Sequence, residues 1–219
     1  MHQELQLIAF LDELEKINKK LNLISYKTRD ELEIKHLQDS LSLLEAFDLE
    51  AGQRLLDIGA GGGFPGVPLA IMAPDAEFVL MDSTDKKMKA VEKIAKKVGI
   101  HNVIPVTGRF ETLAHEDAYR EAFGMVVARA VAPLPTLLEF AAGFVCVHGL
   151  FVAYKSAGYE EELKESISAQ KELGLEFEGP IDYELHDDMG SRALLIFRKT
   201  KPLSDKYPRR DGVPKKKPL

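Results

Sequence analysis

Cys146 is the sole cysteine of the 219 residues, so no internal disulfide can form and a reducing, cytoplasmic setting is expected. It sits between Val145 and Val147 and reads as core, which disfavours chemistry that needs a nucleophilic thiol, such as methylation of pyrimidine carbon-5. No stretch approaches the roughly 18 uncharged apolar residues of a membrane span. The opening MHQELQLIAFLDELEK is acid-rich and lacks a basic n-region, so it does not read as a secretory signal. No His/Cys/Asp set has metal-ligand spacing, and no metal is expected. There is no internal repeat. No Gly-Lys-Ser/Thr follows the glycine-rich stretch at 59–66, which excludes a Walker A triphosphate loop there.

What is present is one sizeable core, with 45% apolar residues, and an uneven charge. From Arg198 to Leu219 there are nine basic residues and two acidic ones, a charge of +7; the net charge of −6 therefore leaves −13 on the preceding 197 residues. A basic, proline-rich end on an acidic body points to an anionic partner held at that end, and a solubilising disordered tail is the plainer alternative.

Leu7, Ile8, Leu11, Leu14, Ile17 and Leu21 recur at helical spacing, and a second amphipathic run covers about Asp30 to Phe47. Apolar runs then follow at Arg54–Ile58, Glu77–Asp82, Val103–Val106, Met125–Ala128 and Leu150–Tyr154. Helix-length segments alternate with them: Val67–Met72, Asp85–Val98, Glu111–Glu121 and Leu134–Phe144. That alternation predicts βαβ units and a parallel sheet covered on both faces. Tyr159–Leu173 reads as a helix; Phe177–His186 and Arg192–Lys199 read as an antiparallel hairpin closing the sheet edge. The expected organisation is an N-terminal helical cap (1–50), an α/β domain (51–199) and a basic, flexible, RNA-contacting tail (200–219).

The segment LLDIGAGGGFPGVPLA, Leu55 to Ala70, follows a strand and opens a helix. Gly61 to Gly66 matches the dinucleotide pattern G-x-G-x-x-G, but Pro65 removes an N–H where a pyrophosphate needs donors. A second frame is Asp57-x-Gly59-x-Gly61-x-Gly63. There, an acid at the strand tip attracts a cationic amino-acid end, and residues without Cβ let the loop lie against a ligand. S-adenosyl-L-methionine, which carries a sulfonium and an ammonium but no phosphate, suits that frame. Asp82 ends the next strand, where an acid binds ribose hydroxyls in either cofactor class. Asp57 favours the methyl donor; a dinucleotide and a purely structural glycine turn stay open.

Amine-methylating enzymes of nucleobases commonly carry Asn/Asp/Ser-Pro-Pro-aromatic after the fourth strand, where this chain has VVARAVAPL with Arg129 in the acid's place. A nucleophile with an in-plane lone pair and no proton to lose, such as guanine N7, needs no general base, and catalysis reduces to in-line alignment.

Together LLDIGAGGGFPGVPLA, VLMDSTDKK, GRFE, VVARAVAPL and FVAYKS, with NLIS and HLQDS upstream and the KYPRRDGVPKKKPL ending, resemble the ribosomal RNA small subunit methyltransferase G family, also called glucose-inhibited division protein B. The resemblance implies a Rossmann-like, seven-stranded methyltransferase sheet. It implies a cytoplasmic enzyme that uses S-adenosyl-L-methionine, leaves S-adenosyl-L-homocysteine, and methylates guanine N7 at one position of 16S rRNA in the decoding region. The partner would be 16S rRNA or the small-subunit ribosomal particle, with no membrane association, and the chain a monomer. Carried over by position, donor-binding places fall on Gly59, Phe64, Phe110, Glu111 and Arg129, beside Asp57, Gly61, Gly63 and Asp82.

Phe64 is expected to wall the pocket, with a core aromatic as the plainer reading. Phe110 and Glu111 would flank and read an adenine, or mark a strand-to-helix junction. Arg129, the one candidate catalytic residue, would contact RNA phosphate or hold the donor site, or form a salt bridge. His36 and Asp39 share a helix face that would cover the cleft. Lys155, Lys206, Arg209, Arg210, Lys215, Lys216 and Lys217 are the candidate RNA contacts. A-form grooves hide guanine N7, so the target base must be exposed in a loop or flipped out. Two rival readings stand beside the methyltransferase: an NAD(P)-dependent Rossmann oxidoreductase and a non-catalytic RNA-binding protein.

Overall fold

Strands buried on both faces need two apolar sides, and alternate residues supply them. Along the first strand, β1 (Arg54–Ile58), Leu55 joins one hydrophobic cluster while Leu56 and Ile58 join another. A computed structural model describing residues 2–219 shows β1 inside a seven-stranded sheet with β2 (Glu77–Asp82), β3 (Val103–Thr107), β4 (Phe123–Arg129), β5 (Val145–Ser156), β6 (Leu175–Glu184) and β7 (Ser191–Lys199). The order is β3-β2-β1-β4-β5-β7-β6. The first five strands pair in parallel, and β7 runs antiparallel to both β5 and β6. The sheet class, the strand positions and the edge hairpin agree with the sequence reading.

One face is covered by α1 (Gln3–Leu21), by short helices α2 (Arg29–Leu32), α3 (Asp39–Leu41) and α4 (Leu43–Ala46), and by α5 (Gly66–Met72) and α6 (Asp85–Val98). Phe10, Leu14 and Leu32 of the N-terminal segment lie in the same cluster as Leu55, Phe78 and Met125 of the sheet, so the cap shares the main core. The second amphipathic run is not one helix: a π-helical turn, Glu33–Gln38, separates α2 from α3. The opposite face is covered by α7 (Phe110–Leu113), α8 (Leu134–Ala142), α9 (Glu160–Glu165) and α10 (Ile167–Leu173).

Three local readings are corrected. The helix read over Glu111–Glu121 stops at Leu113: beyond it Ala114 and Tyr119 pack on the core while Ala118 is exposed, and the Arg120 guanidinium instead binds the carbonyls of Ala114, Leu203 and Tyr207. The helix over Tyr159–Leu173 breaks at Ser166, whose hydroxyl donates back to the Leu163 carbonyl at 2.7 Å and competes with the helical ladder. Cys146 is half-buried, because β5 begins at Val145, ahead of its fully covered part, and pairs there across a register shift.

Residues 200–219 also differ from the flexible tail read from sequence. Leu203 and Tyr207 are buried in the second cluster, and a last turn, α11 (Val213–Lys216), offers the Pro214 carbonyl to the Thr136 hydroxyl of α8 at 3.1 Å. Among the described residues no helix is long and apolar enough to cross a membrane.

Candidate functional site

Strand order reverses between β1 and β4, and open α/β sheets bind ligands in the crevice at such a point, beyond the strands' carboxyl ends. The glycine loop leaves β1 there. Its first two N–H groups, from Gly59 and Ala60, both donate to the Met81 carbonyl of β2 at 2.8 and 3.0 Å. Gly59 has φ +79° and lies so close to Val131 that any Cβ would overlap that side chain. Gly66 opens α5, and a Cβ there would lie 2.9 Å from Asp57 Oδ2.

That closeness has a use. The Gly66 N–H donates to Asp57 Oδ2 at 2.9 Å, while Asp57 Oδ1 is buried and has no partner among the described residues. Burial pushes the Asp57 carboxyl up to about 7; the Gly66 N–H and the Arg129 charge oppose the shift, and Asp82 adds to it. Asp82, one strand over, accepts from the Gly61 N–H at 3.2 Å and from the Thr84 N–H at 2.8 Å. Two carboxylates at neighbouring strand tips thus organise one loop, Asp57 from beneath and Asp82 from its side.

Phe64 is buried. Its ring centroid lies 5.3 Å from that of Phe10 and 5.4 Å from that of His36, and the Arg129 guanidinium carbon sits 5.3 Å from its centre. Arg129, at the end of β4, donates to Asp39 Oδ2 at 2.9 Å, to His36 Nδ1 at 3.0 Å, and to the carbonyls of Lys35 and His36. The π-helical turn presents those carbonyls to it; such turns recur at functional sites. His36 Nε2 lies 3.1 Å from the Ser25 carbonyl, so both ring nitrogens are engaged. Desolvation and the Arg129 charge push this imidazole down to about 4, leaving it neutral at physiological pH.

Asp39 is buried and also accepts from the Tyr183 hydroxyl at 2.7 Å, while the Tyr154 hydroxyl donates to the neighbouring Ser40 carbonyl at 2.9 Å. Burial raises both phenols above the ordinary tyrosine range. Neither tyrosine, nor Phe10, stands out in the sequence. Tyr154 ends an apolar strand as any core residue would, and only the sheet places Tyr183 beside a helix 144 residues upstream.

The structure therefore brings Asp57, Gly59, Gly61, Gly63, Phe64, Asp82 and Arg129 to one lip of the sheet. The Gly63 N–H closes the loop onto the Ala60 carbonyl at 2.7 Å. Phe110 and Glu111 leave the next strand, tied to this lip through the Gly108 N–H, which donates to the Asp82 carbonyl. The Phe110 ring leans on Phe140 at 5.4 Å. Glu111 points elsewhere: it is buried, its Oε1 accepts from Arg109 and from the Gly212 N–H at 2.8 and 2.9 Å, and its Oε2 is unpartnered among the described residues.

Beside Arg129 a cleft of about 350 Å³ opens over the ends of β4, β5 and β7. Lys155, Arg192 and Lys35 line it, and Lys155 is held by Glu162 at 2.6 Å. The tail cations lie apart from this cleft. Arg209 is forked onto Glu139 of α8 at 2.6–3.1 Å, and Lys206 pairs with Glu172 at 2.7 Å, whereas Arg210, Lys215, Lys216 and Lys217 are exposed. Among the described residues no three His, Cys, Asp or Glu side chains converge as a metal site.

The sequence model of GidB, described as rRNA small subunit methyltransferase G, matches residues 3–177. A protein of that name from Clostridium novyi is 40% identical over 214 residues, covering 98% of this chain and 88% of that one. The Deinococcus radiodurans protein of the same name is 39% identical over 218 residues, covering 100% and 86%. Among solved structures, YcgJ from Bacillus subtilis superposes with TM-score 0.58 at 15% identity, over 76% of this chain and all of that one. A SAM-dependent methyltransferase from Aquifex aeolicus gives 0.57 at 14% identity, over 86% and 98%. At those identities the structures speak for the fold alone, a Rossmann-like methyltransferase sheet. The sequence relatives reach further: with the family model matched over residues 3–177 and relatives about 40% identical over nearly the whole chain, the chain belongs to the rRNA small subunit methyltransferase G family.

Proposed function

We propose that this chain transfers a methyl group from S-adenosyl-L-methionine to guanine N7 at one position of 16S rRNA, with no general base. The observation that carries the reading is Asp57: one oxygen is tied to the Gly66 N–H and the other is buried and unpartnered at the glycine loop. An unpartnered carboxylate oxygen in a dry site favours a cationic ligand group. The same arrangement speaks against a dinucleotide. The N–H that opens α5, which a pyrophosphate would need, is already given to a carboxylate, and Pro65 before it has none.

In this reading Asp57 faces the amino-acid end of the methyl donor, Asp82 the ribose, and Phe64 packs beneath the loop. When bound, S-adenosyl-L-methionine supplies an electrophilic methyl on its sulfonium. Arg129 acts as a positioning residue, fastening the His36–Asp39 segment over the lip; it is not offered as a proton donor. An acceptor with no proton to lose fits the state of His36 beside the cleft: both of its ring nitrogens are engaged and its imidazole is pushed down to about 4, so it is not offered as a base. The basic cleft over β4, β5 and β7 suits a nucleotide acceptor and its phosphate. The names of the Clostridium and Deinococcus relatives support rRNA as the substrate.

The test is to map modified nucleotides in small-subunit RNA from cells with and without this chain. A single missing 7-methylguanosine is expected. Unchanged RNA, or calorimetry in which NAD binds and S-adenosyl-L-homocysteine does not, would overturn the reading.

A further inference from the structure

The structure places a second basic surface where the sequence reading had none. Helices α1 and α6 lie side by side and antiparallel: Gln6 near the start of α1 donates to the Gly99 carbonyl past the end of α6, and Glu13 pairs with Lys97 at 2.6 Å. The C-terminal end of α1 is thereby brought to the first turns of α6. Between them runs a groove of about 580 Å³, edged by Lys16, Lys20, Lys86, Lys89, Lys93 and Lys97, with Glu13 the one acid lining it. Its floor is apolar, from Ile17, Leu21, Ala90 and Ile94.

The groove leads to the catalytic lip at both of its walls. Helix α6 begins at Asp85, three residues after the loop-organising Asp82. Helix α1 ends at Leu21, and the chain beyond it packs on the glycine loop, where a Cβ on Gly62 would meet Ile24 and Leu23. Three of the six lysines are ion-paired within the fold: Lys16 and Lys97 share Glu13, and Lys89 pairs with Asp85. Lys20, Lys86 and Lys93 are exposed and have no carboxylate within 4.0 Å among the described residues. An acidic chain thus keeps three lysines without a carboxylate partner, Lys20 on one wall and Lys86 and Lys93 on the other, along an apolar trough between helices that both join segments packed on the glycine loop.

We infer that the groove between α1 and α6 docks a single strand of the substrate RNA, phosphates on Lys20, Lys86 and Lys93, and sugar or base faces on Ile17 and Leu21. This deepens the proposed rRNA methylation and rests on it. Spaced cations over an apolar floor are the means by which proteins track single strands, and the position would lead the strand past the lip that holds the methyl donor.

The test uses the full chain with Lys20→Ala, Lys86→Ala and Lys93→Ala combined, binding 16S rRNA between 50 and 200 mM KCl. Losing three phosphate contacts is expected to reduce the magnitude of the log–log salt slope by about 2 and to weaken binding about tenfold or more at the low-salt end. S-adenosyl-L-homocysteine affinity should be unchanged, which shows that the variant folds. Wild-type RNA affinity and salt slope in the triple variant would overturn the groove while leaving the methylation reading intact. So would a loss confined to the assembled subunit with free RNA bound normally, since the groove would then hold a protein. A wild-type chain that binds S-adenosyl-L-homocysteine but no RNA, free or in the subunit, would overturn both.

Discussion

The C-terminal segment and the α1/α6 groove carry the same kind of charge and use it differently. Residues 200–219 look, as a string, like an arm extended toward an anion. In the fold Arg209 forks onto a fully buried Glu139, Lys206 holds Glu172, and the backbone N–H of Gly212 reaches Glu111. Two of that segment's seven cations, Lys206 and Arg209, therefore fasten the segment to the body. The groove lysines lie on α1, which carries four acids and three lysines, and on α6, which carries six lysines against Asp85 and Glu92. Yet packing consumes the acids elsewhere and leaves Lys20, Lys86 and Lys93 uncompensated. Charge counted along a chain is not charge available at its surface.

The sharpest way to break this contrast is Glu139→Ala. It leaves Arg209 without its partner, and unfolding in urea should show a loss of about 3 kcal/mol. That is the low end for a broken buried pair, because Arg209 keeps a quarter of its side chain in solvent. A change below about 0.5 kcal/mol would mean that the segment is not a structural strap.

Next in size is Asp82→Ala. The two N–H groups of Gly61 and Thr84 lose a charged acceptor, and affinity for S-adenosyl-L-homocysteine should fall tenfold to about a hundredfold by calorimetry. An unchanged affinity would remove Asp82 from the donor site.

A smaller effect is expected from pH. With the Asp57 carboxyl at about 7, the folded state holds its proton more tightly than the unfolded chain does. Its contribution to stability is therefore lost as pH rises from about 4 to 7. Donor affinity runs the other way: the ionised form attracts the ammonium, so binding should strengthen several-fold from pH 6 to 7.5. His36, pushed to about 4, does not titrate in that window. Asp57→Asn should flatten both profiles, and a variant that keeps the wild-type pH dependence of binding would assign it to another group.

The smallest change is reserved for the exposed tail cations. Lys215, Lys216 and Lys217 changed together to Ala should weaken 16S rRNA binding by less than the groove triple does, and only at low salt. If the tail variant proves the weaker binder, the ranking of the two basic regions is reversed.

Much of the candidate site was legible from residue order. An acid ending an apolar strand, alternating glycines and a second acid ending the next strand are all local patterns, and backbone geometry translates them into position. His36 and Asp39 were read as covering the cleft, but their pairing with Arg129 was not legible. Asp39 lies 90 residues upstream in a segment that reads as an ordinary amphipathic helix, and the π-helical turn that exposes two carbonyls to the guanidinium has no pattern of its own. Glu111 was read as facing the donor because of where it follows its strand. In the fold one of its carboxylate oxygens is taken by Arg109 and by the Gly212 N–H, a contact across 101 residues, and the other is buried without a partner among the described residues. One signal for the docked tail was available: Glu139 is the only charge in LPTLLEFAA, and an acid on a helix buried all round requires a cation from elsewhere.

The residue order alone determined the alternation of strands and helices, the glycine loop and the acids at its two strand tips, because period, apolarity and freedom from Cβ act over a few neighbouring residues. Tertiary structure alone decided which charges are spent and which remain. An ion pair forms wherever two side chains meet, and the meeting of Arg209 with Glu139, of Arg129 with Asp39, or of one lysine-edged helix with another is settled by how layers pack across the sheet.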